Sequence, residues 1–475
     1  MTRQRKYLCI ALGPLIFLLT TLVLSGLLTT SGAQAVGVLF WMIFWWITRP
    51  VHIAVTALVP VLANSFFNLV PMASLTSQYA SDSIILIFGS GLMCIPWNNI
   101  GLDKRVALKA LSLIGPSMNS QIIVWLMASI LMSTALPNIA VCALLTPIAV
   151  SMLNAAGYKD LTKAAPAAPI LLSIGWGVGL GGMASPLGGA MNLAAISYLE
   201  EYIGHEFMYI DWVTRTLPFF IVAIITLLAY MLLMPKEAKE LNGTKEYFEK
   251  SYKELGPMKR DEKICATIFV LGTVLAFARP LYADLFPALS PAYIFLFLGA
   301  LTFFIIDKEN KQLLSWKHAE THTMWGMMIL FGGGLALGKL INESGASTRI
   351  AEIISGMNLD GGFLTIVIFC VLARIISELT NSTTSAAVII PIVLGFTEKM
   401  GLNPIPYWFI TVLAFNAEYI LPISVRAIPV SYGLDANKML KRGLPITILS
   451  TAIVIVLGYL ALEYWPYFAQ LTVIN

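Results

Sequence analysis

Long apolar runs recur throughout the chain and limit its fold more than any other feature. A helix needs about 20 apolar residues to cross a bilayer, and the longer runs reach that length. Only 12% of the 475 residues are charged, whereas soluble domains average about 25%. We therefore predict an all-α polytopic membrane protein, in which the shorter runs are tilted, broken or re-entrant. The runs cover residues 7–27, 217–234, 264–277, 292–306 and 446–462.

The first residues of the sequence indicate how the chain is inserted. Arg3, Arg5 and Lys6 precede an apolar run that lacks a small-residue cleavage signal, so we expect this run to stay as the first helix. Basic flanks are retained in the cytoplasm, which predicts a cytoplasmic N-terminus and a multi-pass protein of a bacterial inner membrane. The net charge of +4 is spread over loops, and the five cysteines and four histidines are scattered. Neither nucleic-acid binding nor a disulfide, metal cluster or organic cofactor is predicted.

One hydrophilic segment divides the sequence near its middle. Residues 235–263 contain eight Lys/Arg and seven Asp/Glu but few apolar residues, so we expect a solvated, partly helical cytoplasmic connector. It separates an N-terminal half, 1–234, from a C-terminal half, 264–475. The first half would contain the first helix and one repeat, and the second half the other repeat.

The two halves resemble each other in sequence. Segment 83–111 matches segment 326–354, and Pro147 matches Pro391 at the same distance further on. Around the matched glycines Gly101 and Gly345, the first copy carries a net charge of +2 (Asp103, Lys104, Arg105 and Lys109) and the second −1 (Glu343, Arg349 and Glu352). A basic excess on one copy only predicts that the repeats are inverted, an arrangement that places substrate sites at the repeat interface near the midplane.

Each half interrupts its membrane segments twice. The first interruption is a hairpin, with arms at 120–136 and 139–155 in the first half and at 363–380 and 383–396 in the second. The second is a broken helix, rich in glycine at 175–196 and matched by 416–433. Unpaired backbone is tolerated at membrane depth only inside protein or beside a water-filled cavity. Helix ends supply partial charges, so the four breaks predict a site for a small anion, with a monovalent cation as a possible companion.

At these residues the chain resembles the divalent anion/sodium symporter family, the SLC13-like di- and tricarboxylate transporters. The similar stretches are "FWWITRPVHIAVTALVPVL" (44–62), "IGLDKRVALKAL" (100–111), "ILFGGGLALG" (329–338) and "ELTNSTTSAAVIIPIV" (378–393). The resemblance spans almost the whole chain. It implies about eleven transmembrane helices, two re-entrant hairpins, a homodimer and an elevator motion of a transport domain against a scaffold.

The resemblance also implies which residues form the site. The family has Ser-Asn-Thr at each hairpin tip, whereas this chain has Pro-Asn-Ile and Asn-Ser-Thr, so Ile139 and, in the second broken helix, Val425 lack donors that the family has. The implied substrate residues are Asn138, Gly189, Asn192, Asn381, Ser382 and Thr383. The implied sodium ligands are Ser133, Asn138 and Gly188 in the first half and Ser377, Thr380, Ser382 and Ser424 in the second.

Arg426 is the largest departure from the family, because it replaces a proline beside the substrate. An arginine at membrane depth is costly and usually functional, and its planar fork suits a carboxylate, phosphonate, sulfonate or sulfate. It would bind the anion or supply the charge of a sodium ion; the alternative is a structural ion pair with Glu418, which could itself be a protonation site. Glu378 is expected to orient the hairpin and to pair with Arg374, one turn earlier.

These features predict a secondary active transporter of a small organic anion, with a di- or tricarboxylate as first choice, coupled to sodium or to anion exchange. The alternatives are transport of another oxyanion with proton or no coupling, and a passive anion channel on the same scaffold. An enzyme is not predicted, because the sequence has neither an HExxH nor a GxSxG motif. The expected partners are the small anion, the lipid bilayer and a second copy of the chain.

Overall fold

The computed structural model describes residues 3–241, 243–306, 311–355, 359–380, 382–416 and 418–472. Its regular structure is helical, and the only extended pairings among these residues are two isolated bridges. The helices of the first half are α1 Arg3–Leu24, α2 Thr30–Thr48, α3 Ile53–Thr56, α4 Val59–Phe67, α5 Met72–Thr76, α6 Asp82–Ile100, α7 Leu102–Leu111, α8 Met118–Ser133, α9 Asn138–Ala155, α10 Ala167–Gly181, α11 Ala190–Ile203 and α12 Tyr209–Leu233.

The remaining helices begin in the connector. They are α13 Thr244–Glu254, α14 Arg260–Phe277, α15 Pro291–Leu301, α16 Trp316–His322, α17 Trp325–Glu343, α18 Ala346–Ser355, α19 Phe363–Leu379, α20 Ser382–Lys399, α21 Pro404–Asn416, α22 Ala427–Ser431 and α23 Ala436–Tyr464. The connector was expected to be partly helical, and α13 together with the first turn of α14 confirms this.

Several helices are long and apolar enough to cross a membrane. Eight spans in the described part of the chain meet this requirement by length and composition, among them α1, α9, α12, α17 and α23. On α1, side chains such as Leu18, Leu19 and Leu22 stay exposed, which suits contact with lipid because hydrocarbon solvates them. The all-α polytopic prediction is confirmed, and the number of about eleven crossings stays a prediction.

The buried side chains form separate hydrophobic cores. The largest core joins α7 to α10 and α12 with α19, α20, α21 and α23. A second core joins α1, α2 and α4 with α17, and a third lies between α6, α14 and α15. Both hairpins and both broken helices therefore contribute to one packed body, while the N-terminal helices pack mainly elsewhere.

The helix–turn–helix hairpins are confirmed, with their turns placed slightly differently from the prediction. In the first hairpin α8 ends at Ser133 and α9 begins at Asn138. Proline lacks a backbone N–H and is favoured at a helix start, and Pro137 directly precedes α9. In the second hairpin α19 ends at Leu379 and α20 begins at Ser382. Asn138 and Ser382 are therefore the first residues of the second arms.

The two broken helices are also confirmed. After α10 the chain forms two 3₁₀ turns, Gly182–Ala184 and Pro186–Gly188, before α11 begins. After α21 it forms one 3₁₀ turn, Ser424–Arg426, which leads into α22. Ser424 adopts a left-handed backbone with φ 55°, a conformation that is uncommon outside glycine.

Arg105 on α7 fastens the end of the connector to the helices. Its Nε donates to Glu262 Oε1 at 2.9 Å and its Nη1 donates to the carbonyl of Gly256 at 2.8 Å. Glu262 also accepts the backbone N–H of Lys259 at 2.6 Å and is buried. Burial alone would raise the pKa of Glu262, but these hydrogen bonds and the charge of Arg105 hold it below its usual value.

Replacing Arg105 by methionine is expected to destabilise the protein by about 3–5 kcal/mol, because a buried carboxylate loses its partner. Thermal unfolding in detergent would measure this loss, with Lys104→Met as the exposed control on the same helix. The contribution of Glu262 should be complete above its unfolded pKa of about 4.3 and should be lost as the pH falls through its lower folded value. Equal melting temperatures for the two variants would contradict this role.

Candidate functional site

The two hairpin tips and the two broken helices meet at one cavity of about 120 Å³. Most of its polar lining comes from the ends of these four elements, and Ser90 of α6 adds one hydroxyl. The lining residues with polar side chains are Ser90, Asn138, Ser382, Thr383, Asn416, Glu418, Ser424 and Arg426. The four interruptions that the sequence predicts are therefore neighbours in space.

The opposite wall of the cavity is apolar. It is formed by Leu86 and Ile87 of α6 and by Met324, Met327 and Phe331 at the start of α17. These side chains offer no hydrogen-bond donor to a ligand. The hydroxyl of Ser90 on the same helix donates to the carbonyl of Ile87, so recognition of a polar ligand depends mainly on the wall formed by the hairpins and broken helices.

Two long helices direct their N-termini to the cavity. Asn138 and Ile139 begin α9, and Ser382 and Thr383 begin α20; all four line the cavity. The first N–H groups of a helix have no partner within the helix and carry a partial positive charge. The two helix starts together favour a negatively charged ligand.

Arg426 is the only arginine or lysine among the residues that line this cavity, and it is 2% exposed. Its Nη1 donates to Glu378 Oε2 at 2.7 Å. Its Nη2 forms an ion pair with Glu418 Oε2 at 2.7 Å, and its Nε has no hydrogen-bond partner among the described residues. Nε is therefore the donor of this guanidinium that the described residues leave without a partner.

Glu378 on α19 holds the second broken helix in place. Its two oxygens accept the backbone N–H groups of Tyr419 and Ile420 at 2.7 and 3.1 Å, the hydroxyl of Thr447 at 3.1 Å and Nη1 of Arg426. The predicted pairing of Glu378 with Arg374 is wrong.

Arg374 contacts α23 instead of Glu378. Its Nε donates to Thr451 Oγ1 at 3.0 Å and its Nη2 to Ser450 Oγ at 3.5 Å. The oxygens of Glu378 are already occupied by donors that lie far away in sequence, and helical spacing alone gives no sign of these.

Glu418 connects the second hairpin to Arg426. Its Oε1 accepts the hydroxyls of Ser377 at 2.8 Å and Ser382 at 2.6 Å, while Oε2 contacts Arg426. The predicted ion pair between Arg426 and Glu418 is present. The structure adds the two serine hydroxyls, which come from both arms of the hairpin.

The first half presents neutral oxygens at the matching place. Ser133 Oγ donates to Asn138 Oδ1 at 2.6 Å. A Cβ on Gly188 would lie 2.8 Å from the carbonyl oxygen of Gly182 and 2.9 Å from that of Ser133, so glycine is required there. Carbonyl and amide oxygens of this kind suit a hard monovalent cation, and unwound backbone supplies them in many transporters. The residues therefore fit sodium.

The predicted site residues fall into two groups. Those that line the cavity are Asn138, Gly189, Ser382, Thr383, Ser424 and Arg426. Those that lie behind this lining are Ser133, Gly188, Asn192, Ser377 and Thr380. Asn381 lies outside the described residues.

Asn192 supports the site from behind. Its Nδ2 donates to the carbonyls of Gly182 and Ser185 at 2.7 and 2.9 Å, and its Oδ1 accepts Nδ2 of Asn416 at 2.9 Å. Asn416 was not predicted as a site residue, although it begins the second break. Its buried Oδ1 has no hydrogen-bond partner among the described residues, and the side chain lines the cavity. The apolar wall was missed too, because its residues resemble any lipid-facing run.

The helical fold and this cavity define a polytopic membrane transport protein. The sequence model of the citrate transporter family matches residues 43–414 and 297–470. The chain belongs to that family.

One relative agrees with this assignment. The chain is 27% identical over 468 residues to the sodium-dependent dicarboxylate transporter SdcS of Staphylococcus aureus, with 94% of this chain and 89% of the relative covered. Among solved structures, the YdaH transporter of Alcanivorax borkumensis is similar with a TM-score of 0.48 and 12% identity, covering 83% of this chain and 88% of that one. The citrate transporter family and SdcS are described as transporters, which accords with a chain that is not an enzyme.

Proposed function

We propose that the protein is a secondary active transporter of a di- or tricarboxylate. The observation that carries this proposal is Arg426, a buried residue that lines the cavity and whose guanidinium has no hydrogen-bond partner on its Nε side among the described residues. Buried donors are normally satisfied, so a ligand with acceptor oxygens is the expected partner. One carboxylate would bind this side of Arg426, and the helix starts at Asn138 and Ser382 would face the rest of the anion.

The relative SdcS supports a carboxylate as the substrate, since its name gives dicarboxylates. Sulfate, sulfonates and phosphonates also present paired oxygens to a guanidinium. A longer carboxylate has a carbon chain that the apolar wall of Met324, Met327 and Phe331 can contact. Carboxylates are therefore the preferred class, and the other oxyanions are competitors in the test.

Sodium is the proposed coupling ion. The neutral oxygens of Ser133, Asn138 and Gly182 near Gly188 support one sodium position, and SdcS is sodium-dependent. Anion exchange is the alternative mode, and it would not require an inward sodium gradient.

An elevator cycle is proposed for the movement of the site. The site residues belong to a body with its own core, whereas α1, α2 and α4 pack in another. The apolar wall forms few directional bonds, which favours sliding of one body past the other. We propose further that each body draws helices from both halves, 1–234 and 264–475, which the connector 235–263 joins. The remaining features proposed are a homodimer, a bacterial inner membrane and a cytoplasmic N-terminus.

The test is uptake by proteoliposomes that contain the purified protein. Labelled succinate and citrate should accumulate under an inward sodium gradient, with choline as the control cation, and should show saturable counterflow. Excess sulfate should compete weakly. Flux that does not saturate would indicate a channel, and strong uptake of sulfate without carboxylate uptake would reject the proposed substrate class.

A further inference from the structure

The two half-sites occupy matched positions in the repeats but differ in charge. The register of the hairpins and that of Pro186 with Pro422 relate their residues one to one. The pairs are Ser133 with Ser377, Asn138 with Ser382, Gly182 with Glu418, Gly188 with Ser424 and Ala190 with Arg426. The first half has no charged side chain in these positions, and the second has one acidic and one basic.

The serine hydroxyls at the matched positions bind different partners in the two halves. In the first half the hydroxyl of Ser133 bonds to the side chain at the start of the second arm, Asn138. In the second half the hydroxyls of Ser377 and Ser382 both turn to Glu418. In the second half the carboxylate of Glu418 therefore accepts the serine hydroxyls. In the first half the oxygens at this place belong to backbone carbonyls and to the side-chain amide of Asn138. Ser424 has a left-handed backbone with φ 55°, which its counterpart Gly188 does not have, so the two loops differ in local conformation.

The charges around Glu418 are balanced within the protein. Arg426 contacts it directly, and Glu378 shares that same guanidinium. Arg374 lies on the hairpin helix next to this group and is buried. Tyr419, Thr447 and Thr451 are the other polar neighbours, and all are uncharged. Arg426 is thus the cation that pairs with both carboxylates, and a sodium ion at the same place would be repelled by its charge in a region of low dielectric.

We infer that the guanidinium of Arg426 is a tethered cation that takes the place of a sodium ion in the second half-site. The protein then binds one sodium ion per chain, at the first half-site. The count of one sodium ion per chain rests on the proposed function, which places sodium near Gly188. The exclusion of sodium from the second half-site rests on Glu418 and Arg426 alone. The second half-site would then hold a covalently attached cation in place of a mobile ion.

The inference is tested by equilibrium binding of radioactive sodium to the purified full-length protein in detergent, without anion and with potassium as competitor. The wild type should bind one sodium per chain. Asn138→Ala should lose it, whereas the matched variant Ser382→Ala should keep it. Glu418→Gly combined with Arg426→Ala restores the first-half residues in the second half-site and should gain one additional sodium.

The outcomes separate this inference from the proposed sodium coupling. Two sodium ions in the wild type, one of them lost in Ser382→Ala, would overturn the inference and leave sodium coupling intact. No sodium in the wild type but one in the double variant would reject the first-half site and support the tethered cation. A folded double variant that gains none would overturn the inference. If the double variant does not fold, the wild-type count and the matched alanine pair still decide.

Discussion

Replacing Arg426 by lysine is expected to lower anion uptake by about 10- to 100-fold while the protein still folds. Lysine keeps the positive charge next to Glu378 and Glu418 but has no planar side to hold two oxygens of a carboxylate. A hydrogen bond to a charged group contributes about 1.5–3 kcal/mol, and about 1.4 kcal/mol corresponds to a tenfold change. Initial uptake rates in proteoliposomes, at matched protein content, would measure the loss.

Arg426→Ala should abolish uptake, but it also leaves Glu418 without its partner. The variant Arg426→Ala with Glu418→Gln removes that unpaired carboxylate, so a folded protein without uptake is expected from it. Glutamine can still accept the hydroxyls of Ser377 and Ser382. Near-normal uptake by Arg426→Ala would show that Arg426 is not part of the anion site.

Glu378→Ala is expected to destabilise the protein by about 3–5 kcal/mol, because its carboxylate is the partner of a buried arginine. The same change leaves the backbone N–H groups of Tyr419 and Ile420 without their acceptor. These two hydrogen bonds fix the second broken helix to α19. The melting temperature in detergent and the yield of monodisperse protein should both fall. Glu398→Ala, an exposed glutamate on the neighbouring helix α20, is the matched control and should leave both unchanged.

A second comparison separates stability from transport. Glu378→Gln keeps an acceptor oxygen for the backbone N–H groups but removes the charge that faces Arg426. It should melt between the wild type and Glu378→Ala. If Glu378→Ala melts like Glu398→Ala, the bonds to Tyr419 and Ile420 do not stabilise the fold as described.

The breaks in the membrane segments were predictable from sequence, because their residues violate the rules of a membrane helix. Polar residues such as Thr380 and Ser382, and a proline such as Pro137, have no favourable place in lipid. The breaks occur in the same register in both halves, which indicated that they lie close together in the fold. The exact helix starts were shifted by one residue, since a polar side chain can cap a helix or begin it.

The contacts inside the site were less predictable. Helical spacing suggested that Arg374 pairs with Glu378, but Glu378 binds the backbone at Tyr419 and Arg374 binds α23. Such choices depend on which donors the tertiary fold brings near, and sequence distance does not reveal them. The apolar wall was invisible for a related reason: Met327 or Phe331 has the same character whether it faces lipid, a core or a cavity.

The contrast between the two walls of the cavity has a consequence for how such proteins diversify. The charged groups are linked to one another, so a change at Arg426 or Glu378 disturbs the whole cluster. The side chains of Met324, Met327 and Phe331 make no such bonds and can be exchanged for others of similar volume at little cost in stability. Substitutions in the apolar wall can therefore change the preference for shorter or longer anions during evolution, while the charged cluster around Arg426 stays the same.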